Sequence, residues 1–533
     1  MSFLEKSQDD QDDFIALEYF GKKISFSELK KKIKLVAGRL VDRGVTKGDI
    51  VSIQSLTMPE TVILFYAIAY IGAIANFIYI SSDEKNTKEN LIETKSKLLF
   101  VIDGVFEDVE CLIGGTEVKQ VICLGIDGSA DIFTKVFINI KKTKRSKNGL
   151  TWNKFISGNL GKVEVYRDAD APVAMVYTSG TTGKSKAVIL THKNVNSLAI
   201  QYRKTGMVFA RGERFMNAVP MFVAYGLVFG VHVPLCLGLT DILVVNPDPN
   251  NLGKAFVKYR PNYLVQGYAG IENVISNSTV NKMDLSFIKV LGVGGDAIPD
   301  AFVIKVNDFL NNHNSPLQLV IGYGMTEVAA TVVTSTPLVN KIGSVGIPLP
   351  ETIVKIVEPE TEKELAYNCI GEICFHSPTM MQGYYNQPDE TENIVKLHED
   401  NLLWIHSGDL GRMDEDGFVY IEGRIKRLIG RWHEGVYHKV VPTIVENTIV
   451  EEKDVVEASV VKKALDGSHN SLVAFIVLKN GTDQRAMTKR LKARMQMLEP
   501  WEQINEYLFV EELPRNLTGK VDYRKLEDMC KEK

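Results

Sequence analysis

Over its first two-thirds the chain alternates two kinds of apolar pattern. Phe26 to Arg43 sets apolar residues at helical spacing among many lysines, which predicts an amphipathic helix. Asp49 to Gln54 then reads as a strand. Short apolar runs follow at Lys97 to Ile102, Gln120 to Leu124, Val173 to Tyr177, Asp241 to Val245, Asn262 to Val265, Ile288 to Val293 and Leu317 to Ile321. Apolar strands with helices between them predict parallel sheets covered on both faces, and there are too many for one small sheet.

One uncharged stretch, the twenty residues from Thr61 to Ile80, has the length of a membrane-spanning helix. Its two halves differ. Met58 to Tyr70 is rich in helix formers, Gly72 supplies a helix stop, and Ile74 to Ile80 is β-branched and aromatic. The run therefore reads as a buried helix followed by a buried strand, with no stable membrane insertion.

After about Thr334, Gly and Pro become frequent. Short alternating strands at Ile353 to Val357, Gly371 to Phe375 and Gly417 to Ile421 predict an appended antiparallel barrel or sheet. Beyond Arg424 the chain is more charged. Strands near Val455 to Val461 and Ser471 to Leu478 and a helix from Asp483 to Met497 predict a small α+β unit, with a hinge in Gly423 to Leu428. The expected fold class is α/β. A large N-terminal domain (1–424) holds two helix-covered, mostly parallel sheets and a small β-barrel, and a small α+β C-terminal domain (425–533) follows.

Composition changes this picture little. Of 533 residues, 45% are apolar and 24% charged, as in ordinary soluble globular proteins. A net charge of −4 excludes a generally basic nucleic-acid binder and a highly charged disordered chain. The basic run Lys141, Lys142, Lys144, Arg145 and Lys147 reads as a solvated loop rather than a phosphate or membrane-surface contact. Six scattered cysteines, none in a C-x-x-C, fit reduced thiols in a cytosolic core. Met1 to Asp13 carries six charged side chains and no apolar core, which argues against a signal peptide. A cytoplasmic location is expected.

Four segments carry candidate chemistry. Tyr177-Thr178-Ser179-Gly180-Thr181-Thr182-Gly183-Lys184-Ser185-Lys186 follows a predicted strand and offers hydroxyls, free backbone amides and two lysines to phosphate oxygens. It is not a Walker A loop, because Thr178 stands where that motif needs its first glycine. Tyr323-Gly324-Met325-Thr326-Glu327 offers an aromatic face, a hydroxyl and a carboxylate suited to Mg²⁺ beside phosphates, or a plain turn with Thr326 as a helix N-cap. Ser407-Gly408-Asp409-Leu410-Gly411, followed by Gly423-Arg424, reads as a turn or as a ribose-hydroxyl site. Pro514-Arg515-Asn516-Leu517-Thr518-Gly519-Lys520 places a lysine on a loop near the C-terminus.

In this order and spacing the four segments resemble the acyl-adenylate-forming superfamily of acyl-CoA synthetases, peptide-synthetase adenylation domains and beetle luciferases. The resemblance runs from Ile24-Ser25-Phe26-Ser27-Glu28-Leu29 to Lys520 and includes Gly371-Glu372-Ile373 and Gly383-Tyr384-Tyr385. It implies an enzyme that activates a carboxylic acid with ATP and Mg²⁺ to an acyl-AMP and passes the acyl group to CoA. By similarity, Thr178 to Lys186 would cradle the β- and γ-phosphates. Tyr323 would stack on adenine beside Gly294, Gly295 and Asp296, with Gly324 following. Thr326 would bind phosphate and carboxylate oxygens and Glu327 would hold the metal. Asp409 would hold the ribose with Arg424 nearby, and Lys520 would bridge the carboxylate and the α-phosphate. The small domain would rotate at Lys426 between the half-reactions, presenting Leu428 to Pro442 to the thiol.

Departures from the family pattern sharpen the expectation. Many acid–CoA ligases have His at the position of Val223, and peptide-synthetase domains have an Asp in that region. Val cannot pair an ammonium, so an α-amino acid is disfavoured. Phe222, Val223, Ala224, Tyr225, Gly292, Ala329 and Ala330 are expected to form an apolar acyl pocket for an aliphatic or aromatic acid. The segment from Gly435 to Pro442 is about two residues longer than usual, which keeps a carrier-protein phosphopantetheine as the alternative acceptor. His433 and His438 within that stretch read as loop histidines rather than metal ligands. A third possibility is a regulatory nucleotide-binding protein without catalysis, against which Lys186, Glu327, Asp409 and Lys520 argue.

Overall fold

The fold is described from a computed structural model, which covers residues 14–126, 145–158, 163–178, 185–245, 251–295, 298–337, 339–464, 470–515 and 521–531. The first predicted helix runs Phe26–Asp42 and starts where Ser25 Oγ accepts the Glu28 N–H at 3.1 Å. The uncharged stretch resolves as expected. Helix Pro59–Tyr70 has every residue buried, Gly72 takes a left-handed φ of +73, and strand Ile74–Phe77 follows. Among the described residues no helix is long and apolar enough to cross a membrane.

Two large sheets form. In one, strands Val320–Tyr323, Val290–Gly294, Tyr263–Gln266, Arg214–Asn217, Thr240–Leu243 and Ile15–Tyr19 run parallel, with antiparallel strands at both edges. In the other, Pro172–Tyr177, Ile74–Phe77, Ile50–Gln54, Leu98–Ile102, Gln120–Leu124 and Leu150–Thr151 run parallel, and Ala187–Thr191 and Gly383–Tyr384 complete it antiparallel. Helices Pro59–Tyr70, His192–Lys204 and Val233–Leu237 pack in a core shared by both sheets. That burial on two sides explains the continuous apolar runs.

The element expected after Thr334 is a five-stranded antiparallel sheet. Its strand Leu403–Met413 pairs with Gly371–His376, Val395–Leu397 and Val419–Arg424, and Ile353–Val357 adds to the edge. After it come the hairpin Ile429–His433 and Val436–Val440, a sheet of Val455–Ala464, Asn470–Leu478 and Glu506–Val510, and helices Pro442–Val450, Gln484–Met495 and Tyr523–Lys531. Among the described residues, the apolar clusters that begin at Ile429 contain no residue from before it.

Asp241 is the exception to the apolar rule in the parallel strands. It is fully buried in Thr240–Leu243 and neither carboxylate oxygen has a partner. Burial pushes its carboxyl well above the usual range, partly offset by the nearby Asn217. The folded chain thus keeps a proton that the unfolded chain releases, so stability is lost as pH rises above the ordinary carboxylate value. Asp241→Asn removes that dependence. Its stability relative to wild type should rise from pH 4 to pH 7 by up to about 1.4 kcal/mol per pH unit. Urea unfolding of both proteins at three pH values checks this, and parallel curves would refute it.

Candidate active site

Strands Pro172–Tyr177 and Ala187–Thr191, which flank the Ser/Thr/Gly-rich segment in sequence, are an antiparallel pair. The base of that segment is fixed at both ends. The Tyr177 hydroxyl donates to Asn76 Oδ1 at 2.9 Å and accepts from Asn90 Nδ2 at 2.6 Å. The Thr178 N–H donates to Lys186 O at 3.0 Å, and the Lys186 N–H to Thr178 Oγ1 at 3.3 Å. Ser179, Gly180, Thr181, Thr182, Gly183 and Lys184 lie outside the described residues, as do Asp296 and Lys520.

The Lys186 side chain reaches segment 384–390. Its Nζ pairs with Glu390 and stands 4.9 Å from the centre of the Tyr384 ring. The Lys186 ammonium holds the Glu390 carboxyl below its usual range. Tyr384 in turn donates its hydroxyl to Glu327 Oε1 at 2.6 Å. The loop lysine and the predicted metal-binding carboxylate are thus joined through one aromatic side chain.

Tyr323 ends strand Val320–Tyr323, and one 3₁₀ turn, Thr326–Val328, follows. The N-cap position belongs to Met325 and no side chain caps the turn, so Thr326 is not a helix cap. The bend back toward the sheet is tight. A Cβ on Gly324 would sit 1.8 Å from Ala330 O, and Ala329 takes a left-handed φ of +63. This turn buries Glu327, whose backbone O accepts the Met381 N–H at 2.8 Å. Burial pushes the Glu327 carboxyl up, opposed by the Tyr384 hydrogen bond and by the charges of Arg424 and Lys186.

Asp409 and Arg424 face each other across strands Leu403–Met413 and Val419–Arg424. Arg424 Nε donates to Asp409 Oδ1 at 2.7 Å, and the Tyr323 hydroxyl to Asp409 Oδ2 at 2.6 Å. Burial, then the Asp409 charge, push the Tyr323 phenol well up, which keeps it a donor. Beside it Gly294 pairs with Gly322 so closely that a Cβ at Gly294 would meet Gly322 O at 2.8 Å, while a Cβ at Gly295 would meet nothing.

Behind Gly322 lies an apolar cavity of about 40 Å³, walled by Tyr225, Phe229, Phe215, Tyr263, Val265 and Gly292 among others. Tyr225 and Phe229 come from the π-helix Tyr225–His232 and stack in parallel at 5.4 Å. Of the expected acyl-pocket residues, Tyr225 and Gly292 line this cavity. Phe222, Val223, Ala224, Ala329 and Ala330 do not. Phe222 meets Tyr79 edge-on at 5.3 Å instead, and the three alanines are packed in the core.

Tyr384 and Glu390 are the site residues that sequence reasoning missed. The Gly383-Tyr384-Tyr385 motif marks the place but not the partners, which come from chain positions far away.

Residues 4–385 match the AMP-binding enzyme family and residues 444–520 the AMP-binding enzyme C-terminal domain. The chain belongs to the AMP-binding enzyme family. The long-chain-fatty-acid–CoA ligase of Bacillus subtilis (strain 168) is 28% identical over 530 residues, covering 96% of this chain and 91% of the relative. The 4-coumarate–CoA ligase CCL1 of Humulus lupulus is 25% identical over 513 residues, covering 94% and 88%. ATP-bound MatB from Rhodopseudomonas palustris shares the fold, with a TM-score of 0.84 at 23% identity over 99% of each chain. This AMP-binding enzyme is an AMP-forming acid–thiol ligase of the acyl-CoA synthetase type.

The residues present fit a magnesium nucleotide. A buried carboxylate pushed up by its burial gains from a cation, and Mg²⁺ takes one or two protein carboxylates beside phosphates.

Tyr384→Phe removes a hydrogen bond that favours the charged form of Glu327, so that carboxyl rises further. The acid limb of kcat/KM for ATP should move to higher pH, with a loss of roughly tenfold near pH 6 that narrows above pH 8. A pH profile of pyrophosphate release tests this. An unshifted limb would separate Tyr384 from Glu327 ionisation.

Proposed function

We propose that the protein joins an apolar aliphatic or aromatic carboxylic acid to CoA through an acyl-AMP. An oxygen of the acid attacks the α-phosphorus of ATP, and pyrophosphate leaves with the electrons of the broken P–O bond. The CoA sulfur then attacks the acyl carbon, and AMP leaves. The observation that carries this reading is the convergence of Lys186, Glu327, Tyr323, Asp409 and Arg424, linked through Tyr384 and through the Tyr323–Asp409 hydrogen bond.

Two like-charged reactants must meet, so donors fixed where charge builds up supply most of the rate. Thr178 to Lys186 would hold the β- and γ-phosphates, and Tyr323 would cover the adenine against Gly294, Gly295 and Asp296. Asp409 would exchange its present partners for ribose hydroxyls. Mg²⁺ held by Glu327 would supply positive charge to the phosphate oxygens. Thr326 would orient the phosphate and carboxylate, and Lys520 would bridge them. The acid's apolar end would enter the cavity beside Gly292. At about 40 Å³ the cavity has room for little more than a water or two, so the aromatic wall must turn to admit it.

The C-terminal domain, 425–533, would rotate about Lys426. The backbone on either side of Lys426 is anchored to different parts. Arg424 is held by Asp409, while Arg427 pairs with Glu446 at 2.5 and 3.1 Å and lies over the Tyr523 ring at 3.9 Å.

The thiol-side hairpin favours a second reading of the acceptor. Its turn, Glu434 and Gly435, has φ of +48 and +80, and the strands expose Trp432, Val436 and Tyr437. Such an apolar tip suits a carrier protein bearing phosphopantetheine.

Pyrophosphate release from Mg·ATP across a panel of carboxylic acids, with and without CoA, decides between them. Acid-dependent turnover only with CoA is expected. A single burst regardless of CoA would move the acceptor to a carrier protein, and silence with intact ATP binding would support the non-catalytic alternative. Lys520→Ala should lower adenylation about 10²–10³-fold while leaving ATP affinity near wild type. Equal loss of ATP affinity, measured by calorimetry, would overturn that role.

A further inference from the structure

The five-stranded antiparallel sheet carries a cluster that the nucleotide chemistry does not use. Glu372 and Cys374 lie two residues apart on strand Gly371–His376, hence on one face. Cys374 is directly opposite His406 on strand Leu403–Met413. One donor atom from each of the three lies within 4.8 Å of the others, and all three side chains are buried. A carboxylate oxygen, a thiol sulfur and an imidazole nitrogen form the donor set of zinc and its neighbours.

The surroundings hold the three donors in place. His406 Nδ1 is 2.9 Å from Glu372 Oε2, and His406 Nε2 is 2.9 Å from His398 Nε2. Glu372 Oε1 accepts the Gly408 N–H at 2.9 Å. His398 is only 4% exposed, and its Nδ1 has no hydrogen-bond partner. Trp404 stacks on His398 with ring centres 5.7 Å apart. The nearby cation, Lys355, is drawn off by Asp400 at 3.4 Å and by the Trp404 ring at 3.9 Å. Hydrogen bonds account for Glu372 and His406, while Cys374 packs with Val357 and Trp404 and brings its sulfur within 4.8 Å of a donor atom of each.

We propose that Glu372, Cys374 and His406 bind a zinc-class divalent cation, with His398 as the outer partner that orients His406. The ion takes a Glu372 oxygen, the Cys374 sulfur and His406 Nδ1, and water completes four-coordination. His406 Nε2–H then donates to His398 Nε2, the kind of outer contact that fixes the tautomer of a ligating imidazole. The Gly408 N–H bond ties the cluster to the residue before Asp409.

The test uses the full chain purified without chelators. Metal analysis should find about one zinc per chain. After stripping, Co²⁺ should restore a thiolate-to-cobalt charge-transfer band. Cys374→Ser should abolish that band, while Cys530→Ser, altering a buried cysteine elsewhere, should keep it. His398→Asn should weaken Zn²⁺ binding about 10–100-fold yet keep the band. No retained metal together with no cobalt band in the wild type would overturn the proposal. A band that survives in Cys374→Ser would also overturn it.

Discussion

Glu327 is a carboxylate held inside the protein, and the rest of the site is arranged around that fact. A buried charge is tolerated only when it is paired or hydrogen-bonded. The compensation here comes from several regions: Tyr384 at the edge of the second large sheet, Lys186 at the base of the loop, and Arg424 on the antiparallel sheet. Segment 381–385 ties these together. Its Met381 N–H reaches Glu327 O at 2.8 Å, its Gln382 N–H reaches Ile189 O at 3.0 Å, and Gly383–Tyr384 pairs with Ala187–Thr191. The turn after one sheet is thereby stapled to an edge strand of the other, next to the strand that follows the Ser/Thr/Gly-rich segment.

The parts that could be read from sequence were those whose burial leaves a one-dimensional trace. Gln120–Leu124 and Ile353–Val357 sit where their apolar runs predict, and most other strands differ by a residue or two at their ends. Tyr323 and Arg424 end strands, Glu327 lies in the turn after one and Asp409 stands inside Leu403–Met413, and each could be singled out because it stands in a motif. The hairpin Ile429–His433 with Val436–Val440 was not read as strands. Its residues are mostly half-buried or exposed, so no hydrophobic period marks it. The π-helix Tyr225–His232 is almost uniformly apolar and lacks a side-chain cap, so nothing in its pattern distinguishes it. The roles of Tyr384 and Glu390 depend on partners far along the chain, which no local pattern encodes.

The acyl pocket shows the same limit from the other side. Small and apolar residues near the Pro220–Leu227 motif and around Ala329 suggested its lining, and of these Ala224, Ala329 and Ala330 are buried. Ala329 and Ala330 are buried in the tight turn behind Gly324. The cavity is walled instead by aromatic residues from several strands and the π-helix. An interior that closely packed resists added volume. In the proposed reading, the size of the acid is set by how far the stacked Tyr225 and Phe229 rings can turn, not by a preformed void.

The proposed domain rotation has a local requirement that the two arginines define. Arg424 is held by Asp409, whose other oxygen accepts from Tyr323. Arg427 cannot leave Glu446, which in turn accepts the Val460 N–H at 2.7 Å inside the C-terminal core. A rotation that preserves both anchors must be absorbed in the backbone of Ile425 and Lys426, within the short turn Ile425–Arg427. Ligand binding at Asp409 would loosen the first anchor, since ribose hydroxyls compete for the oxygens that now accept from Arg424 and Tyr323. In this proposal, nucleotide occupancy and freedom of the hinge are coupled through one carboxylate.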